Sequence, residues 1–355
     1  MSFNKKLFTG EFIPTAPDPS QAGSTPTGKS NFNIAIYTGN AGNNTVTVGF
    51  RPDIVWLKSI DGVDNHRLYD SNRGIGKPIY PNLSAAETSA ANHMTTSSTG
   101  FTLNSNNNNS NGVKYIAWCW KVGGGASSNS NGNITAQVQA NSSIECSVIT
   151  WAGNGSTSAT VGHGLSGTPD FVFMHDRSEA GGWNAGHVSM PSNHAIGIQS
   201  NAAGSSSMGN NGGLTYGNFN STNFGFASGA QGVNSINKSG NDYIAYAFKS
   251  KSGISKYGGY SGTGSTGNSI TGLGFEPNWI MLKKYNGTSN WVITDSQRDT
   301  TDVRTAALFS NSDSAQDTSA NLGVEFDSDG FTLYGTHNDI NASGGNYLYM
   351  ALKLN

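Results

Sequence analysis

The chain has 355 residues, enough for two or three ordinary domains, and only 12% are charged, about half of the roughly 25% usual in soluble globular proteins. Its formal net charge is −2 and no apolar run approaches the ~20 residues that span a bilayer. Nothing in it provides the electrostatic footprint of a nucleic-acid or anionic-membrane binder, and 47 glycines with 10% aromatic residues indicate turn-rich β structure.

The first segment, "MSFNKKLFTGEFIPTAP", has two lysines but no apolar stretch behind them, so a secretory leader is not expected. Four prolines in the first ~30 residues forbid a helix, and residues 1–32 are expected to form an extended arm. Apolar side chains on an extended segment are costly in water unless another surface takes them. Phe3, Leu7, Phe8 and Phe12 are therefore candidate partner contacts, with Lys5 and Lys6 steering the arm towards an acidic neighbour.

Beyond the arm one pattern occurs three times. "RPDIVWLK" (51–58) is echoed by "TPDFVFMH" (168–175) and "EPNWIMLK" (276–283), with Pro52, Pro169 and Pro277 spaced 117 and 108 residues apart. A glycine-rich, hairpin-like stretch precedes each (37–50, 151–167, 260–275). His66, Trp183 and Trp291 lie fourteen residues past each proline, and each unit closes on an aromatic strand, "YIAWCWK", "YIAYAFK" or "YLYMALK". Short apolar runs between Gly, Asn and Ser clusters predict three tandem antiparallel β-sandwiches, jelly-roll-like, over 33–121, 144–249 and 254–355. Residues 122–143 are expected to be a flexible polar linker, which would let the first repeat melt by itself. Period-2 alternation assigns Trp118, Tyr246 and Met350 to the core face of the closing strands and Ala117, Cys119, Ala245 and Ala351 to the other. The Pro-led strands are apolar on both faces, so they should be central and covered twice.

Candidate chemistry is sparse. "YDSNRG" (69–74) and "TDSQRD" (294–299) place Asp70/Arg73 and Asp295/Arg298 at matching offsets, where they either touch a polar ligand or cap a turn and pair locally. The second repeat has His187 and Met190 instead. "DSDG" (327–330) reads as a strand-to-strand turn, since its counterparts lack carboxylates. His163, His175, His187 and His194 have no zinc spacing, and Cys119 and Cys146 have no redox or metal spacing. No acid recurs in all three units, so neither catalytic residues, nor a metal, nor a cofactor is expected. The Asn-rich loops near 103–112 and 205–213 suit sugar recognition and plain hairpin turns equally well.

The ordered set "YTGN…GF.PD.VW.K…YDS.RG…AAETS…GFTL…YIAWCWK" resembles repeat units of tail-fibre and other virion structural proteins of tailed bacteriophages, notably marine ones. The likeness is fullest in the first repeat and loosest in the second. It implies a non-enzymatic, lectin-like β-sandwich protein, assembled in the host cytoplasm and exposed on the particle surface. The expected partners are other virion proteins (tail, portal-proximal or capsid) reached through the arm, further copies in a homo-oligomer, and a host-surface glycan. The competing expectation is an architectural capsid decoration or cement protein with no ligand.

Overall fold

The computed structural model describes residues 30–88, 92–207, 213–226 and 236–354. The arm contacts expected at Phe3, Lys5, Lys6, Leu7, Phe8 and Phe12 lie outside them. The fold is all-β, and its ladders between strands are antiparallel.

Each Pro-led strand (Ile54–Ser59, Phe171–Asp176, Trp279–Lys284) begins two residues after its proline, so the missing N–H costs no ladder bond. Being apolar on both faces, each is flanked on both edges. The first unit orders its strands Phe32–Thr38, Lys114–Trp120, Ile54–Ser59, Arg67–Asp70. The second runs Cys146–Ala152, Asp242–Phe248, Phe171–Asp176, Asn184–His187, and the third Ser255–Ser261, Asn346–Leu352, Trp279–Lys284, Trp291–Asp295. In every case the opening strand pairs with the closing one, which pairs with the Pro-led one. The glycine-rich stretches are not hairpins: Phe32–Thr38 and Asn44–Thr47 belong to different sheets, so the chain crosses between layers there.

A smaller second sheet covers one face of each. In the first unit it is Asn44–Thr47, Gly100–Leu103 and Met94–Ser97, and the enclosed core contains Val55, Leu57, Phe101, Tyr115 and Cys119. The other units repeat this with Val172, Met174 and Phe224, and with Ile280, Leu282 and Phe331.

The opposite face of the closing strand is no less buried. Trp118, Tyr246 and Met350 are 0%, 0% and 3% exposed, and they share one cluster with Trp56, Phe173 and Trp279. Trp118 packs edge-on to Trp56 of its own unit at 5.8 Å and to Trp279 of the third unit at 6.2 Å. Phe171 of the second unit stacks on Trp291 of the third at 6.3 Å. The face read from alternation as the core is thus a core between units, while the alanine and cysteine face lines the sandwich interior. At its centre, side chains from all three units leave a gap of about 10 Å³, at most a single water.

Residues 122–143 are a correction to the expected flexible linker. Ser127–Asn129 and Ala136–Asn141 are strands that extend the sheet of the second unit next to Cys146–Ala152. Ala136 and Val138 point inward, and buried Gln139 donates to the Gly123 and Gly124 carbonyls while accepting from Ser71 of the first unit. The tract ties the first two units together.

Because the aromatic core is shared, the described units should unfold as one. Trp118→Ala should cost about 3–5 kcal/mol and lower a single denaturant transition, followed by tryptophan fluorescence and far-UV circular dichroism together. A first-repeat transition separated from the rest would contradict the shared core.

Candidate functional site

The residues singled out by repetition converge on the contacts between units. Fourteen residues past each proline, the ring N–H donates to a backbone carbonyl of the neighbouring unit: His66 Nε2 to Phe309 at 3.0 Å, Trp183 Nε1 to Tyr80 at 2.9 Å, Trp291 Nε1 to Gly197 at 3.0 Å. Six residues past the proline a second donor reaches the same loop. Lys58 Nζ bonds the Asp313 carbonyl at 3.2 Å, His175 Nε2 the Ala85 carbonyl at 2.8 Å, and Lys283 Nζ the Asn201 carbonyl at 3.0 Å. The first unit thus grips the third, the third the second, and the second the first. Backbone pairs repeat the same cycle: Glu87 to Arg177 and Gly181 to Ser84, Gln316 to Ile60 and Asp64 to Asp313, Gly204 to Tyr285 and Ser289 to Asn201. The chain closes on itself as a ring of three.

These donors are held by burial. Lys58 and Lys283 are fully buried, and desolvation lowers their amines to about 8 and about 7. Their hydrogen bonds run to carbonyls and one serine hydroxyl, so they act as fixed donors. His66 accepts the Trp56 indole N–H on Nδ1 at 2.9 Å, which leaves the proton on Nε2 for Phe309. His187 likewise accepts the Ser189 N–H on Nδ1 and donates Nε2–H to the Tyr349 carbonyl. Burial holds His66 well below its ordinary range and His187 at about 3.

The Asp-Ser-x-Arg pairs lie in the same contact. Asp70 caps the Arg73 N–H and receives Arg73 Nε at 2.6 Å, with both side chains fully buried. Tyr246 of the second unit donates to the same carboxylate at 2.7 Å, and Glu87 bridges Arg73 to Arg177, each at 2.8 Å. In the third unit Asp295 takes Arg298 Nε at 2.6 Å and the Trp118 indole N–H of the first unit at 3.4 Å. These four residues are structural turns closed off from any ligand. The second unit faces Met350, which offers no donor. A carboxylate there would be buried without that bond, and His187 and Met190 stand in its place.

A further recurrent residue gave no signal in sequence patterning because it sits in loops of different composition. Asn109, Asn237 and Asn341, each six residues before the closing-strand tyrosine, are fully buried. Their side-chain amides hold the Gly-rich crossover through Asn40 and Gly42, Asn154 and Ser156, Thr263 and Ser265. Gly39, Gly153 and Gly262 are required opposite them, since a Cβ would collide with the carbonyls of Ser110, Lys238 and Ala342. Much of the Asn-rich loop at 103–112 is therefore latch.

The other sequence candidates resolve simply. His163 donates to the Asn220 carbonyl and accepts the Leu165 N–H, and His175 stacks on Trp183 at 4.6 Å. His194 bonds the neighbouring Asn193 side chain. The aspartates of "DSDG" serve a turn, with Asp329 accepting the Gly272 and Gly274 N–H groups. Cys119 and Cys146 are buried free thiols, which burial pushes far up. Among the described residues no three His, Cys, Asp or Glu side chains gather as a metal site, and no helix is long and apolar enough to cross a membrane.

Among the described residues, three open clefts offer space for a ligand. One of about 440 Å³ runs along Gly123–Gly125, Val138 and Ser142; one of about 290 Å³ lies between Ser189 and Tyr285 where the second and third units meet. A third, of about 370 Å³, opens in the first unit beside Asp64, Arg67 and Asn107.

The buried neutral histidines make the ring acid-sensitive. The unfolded chain takes up a proton near pH 6.5, whereas folded His66 and His187 do so only far lower. Stability is therefore fully present above pH 6.5 and lost as pH falls towards the folded values, by about 1.4 kcal/mol per pH unit for each histidine. Urea midpoints at pH 7.5 and pH 5 should differ accordingly, and His187→Gln should flatten the slope. An unchanged slope in that variant would contradict a neutral, buried His187.

Comparison with curated proteins and comparison with solved structures each gave no match. A family model described as a domain of unknown function, DUF7483, matches residues 27–354. That span takes in all three units and their ring of contacts, and the chain belongs to the DUF7483 family.

Proposed function

We propose that the chain is a non-enzymatic structural subunit of a phage virion. It is a tail-fibre or tail-associated component that docks through residues 1–32 and presents its β-sandwiches to a host-surface glycan. The observation that carries this reading is where the recurrent polar groups are used. Asp70, Asp295, Lys58, Lys283 and the offset-fourteen donors make contacts between units, and Arg73 and Arg298 hold the two aspartates in place. What repetition has preserved is a rigid ring with open polar clefts, which suits a module that bears load and binds weakly at its surface. The likeness to phage virion proteins supports the same reading: in its motif the arginine and glutamate of "YDS.RG" and "AAETS" are Arg73 and Glu87, both in the ring.

The test is made on particles. The full-length chain should be found in purified virions, and a genome encoding a chain without residues 2–30 should yield virions that lack it. The truncated protein should keep its far-UV circular dichroism. Virions that never contain the full-length chain would overturn the assignment. Normal incorporation of the truncated chain would move attachment to a sandwich face.

A further inference from the structure

We infer that the cleft of the first unit beside Asp64 and Arg67 is a binding site for a neutral saccharide, a refinement that rests on the function proposed above. Among these three sandwiches the recurrent charged residues close the ring, and this cluster does not recur. The positions corresponding to Arg67 hold Asn184 and Val292, and those corresponding to Asp64 hold Gly181 and Ser289.

Arg67 is 8% exposed at the base of the cleft, a buried charge whose guanidinium lies over the Tyr80 ring at 5.7 Å. Its Nη1 donates to Asp64 Oδ1 at 3.2 Å and to Asn108 Oδ1 at 2.6 Å, and Nη2 to Asn107 Oδ1 at 3.3 Å; Nε has no partner. Asn108 Nδ2 holds the other Asp64 oxygen at 2.9 Å. The Asp64 side chain stays 26% exposed, so a fixed carboxylate edge faces solvent with acceptor capacity to spare. Asn107 also lines the cleft, its oxygen accepting from Arg67 and its nitrogen against the His93 ring, and exposed Asn106 adds an amide that can both donate and accept.

That arrangement matches vicinal hydroxyls, each of which must donate to one group and accept from another. The guanidinium and carboxylate cancel in charge, so the cleft has no net attraction for an anion. Val63 on the rim is 75% exposed, an apolar surface for the C–H face of a sugar ring. The site is also rigid. Asp64 N–H donates to the Asp313 carbonyl of the third unit, and Lys58 Nζ ties the Gly62 and Asp313 carbonyls together. Ring closure therefore fixes the loop that carries Val63 and Asp64, and a preorganised loop binds without an ordering cost.

The full-length protein should show saturation-transfer NMR signals from at least one of the methyl glycosides of glucose, galactose, mannose and N-acetylglucosamine. Asp64→Ala and Asn107→Ala should each weaken binding by about tenfold or more, the cost of losing a hydrogen bond to a charged or well-placed group. Ser127→Ala, in the cleft of the second unit, should leave it unchanged. Melting temperatures of the variants would identify any that fail to fold, and Asn106→Ala and Val63→Ser then provide the same test from the rim. No signal with any of the four glycosides, signal untouched by the cleft variants, or binding of inorganic phosphate or N-acetylneuraminic acid alone would overturn the inference. A chain present in virions that binds no neutral glycoside refutes this site and spares the virion assignment. A chain that binds here but is missing from virions does the reverse.

Discussion

A sheet that is apolar on both faces cannot stand at the surface of a two-layer sandwich, and that constraint organises the whole molecule. The second sheet of each unit covers one face; the other carries Trp56, Trp118 and Trp120 in the first unit and equally apolar counterparts in the others. Leaving such faces in water would cost on the order of 25 cal/mol for each Å² of apolar surface. A linear chain of sandwiches would bury some of that surface and leave the outer faces bare. Three units closed head to tail bury nearly all of it, with Ile36 at the margin left 41% exposed, and a closed ring leaves no unsatisfied copy of the interface to drive open-ended association. The gap of about 10 Å³ left among side chains of the three units shows how closely their faces pack.

Once the faces are apolar, the polar groups at their margins have to be satisfied inside the contact. The ring does this with donors that meet backbone carbonyls, a pairing that works for histidine, tryptophan or lysine alike. Position fourteen can thus be His66 in one unit and Trp183 or Trp291 in the others without changing the bond it makes. Carboxylates are less forgiving. Asp70 and Asp295 occur where the neighbour offers a donor, Tyr246 or Trp118, and where their own arginine follows three residues later. Opposite Met350 both members are replaced together. An isolated charge in that core would cost more than any bond it could recover.

This pattern sets what was readable in the sequence. The Pro-led strands, the closing strands and their threefold recurrence follow from period-2 alternation and spacing, because both faces of those strands report burial. The ring was hidden because its acceptors are carbonyls, which every residue carries, and because its donors look unrelated as residue types. The tract 122–143 misled for a different reason: glycine, serine and asparagine dominate it, yet "AQVQA" alternates cleanly and becomes a strand. Asn109, Asn237 and Asn341 were obscured in the same way, as fixed latches among asparagines that are ordinary turn residues. Of the cleft in the first unit, the Asn-rich loop was legible as a sugar-binding candidate. Arg67 and Asp64 were not, since neither recurs and both lie outside any motif.

The ring also alters what association with further copies would require. A homo-oligomer built like a fibre shaft would ordinarily trimerise through heptads or a shared apolar face, and the apolar faces here are consumed within one chain. The large apolar side chains left exposed among the described residues, Ile36, Val63, Val303 and Tyr334, are single and belong to different strands and loops. They do not make the contiguous patch that a stable interface needs. Among the described residues, the surface left for contact with other copies is polar, and such surfaces give weak and salt-sensitive contacts. The sequence of residues 1–32 concentrates apolar side chains, Phe3, Leu7, Phe8 and Phe12, beside Lys5 and Lys6.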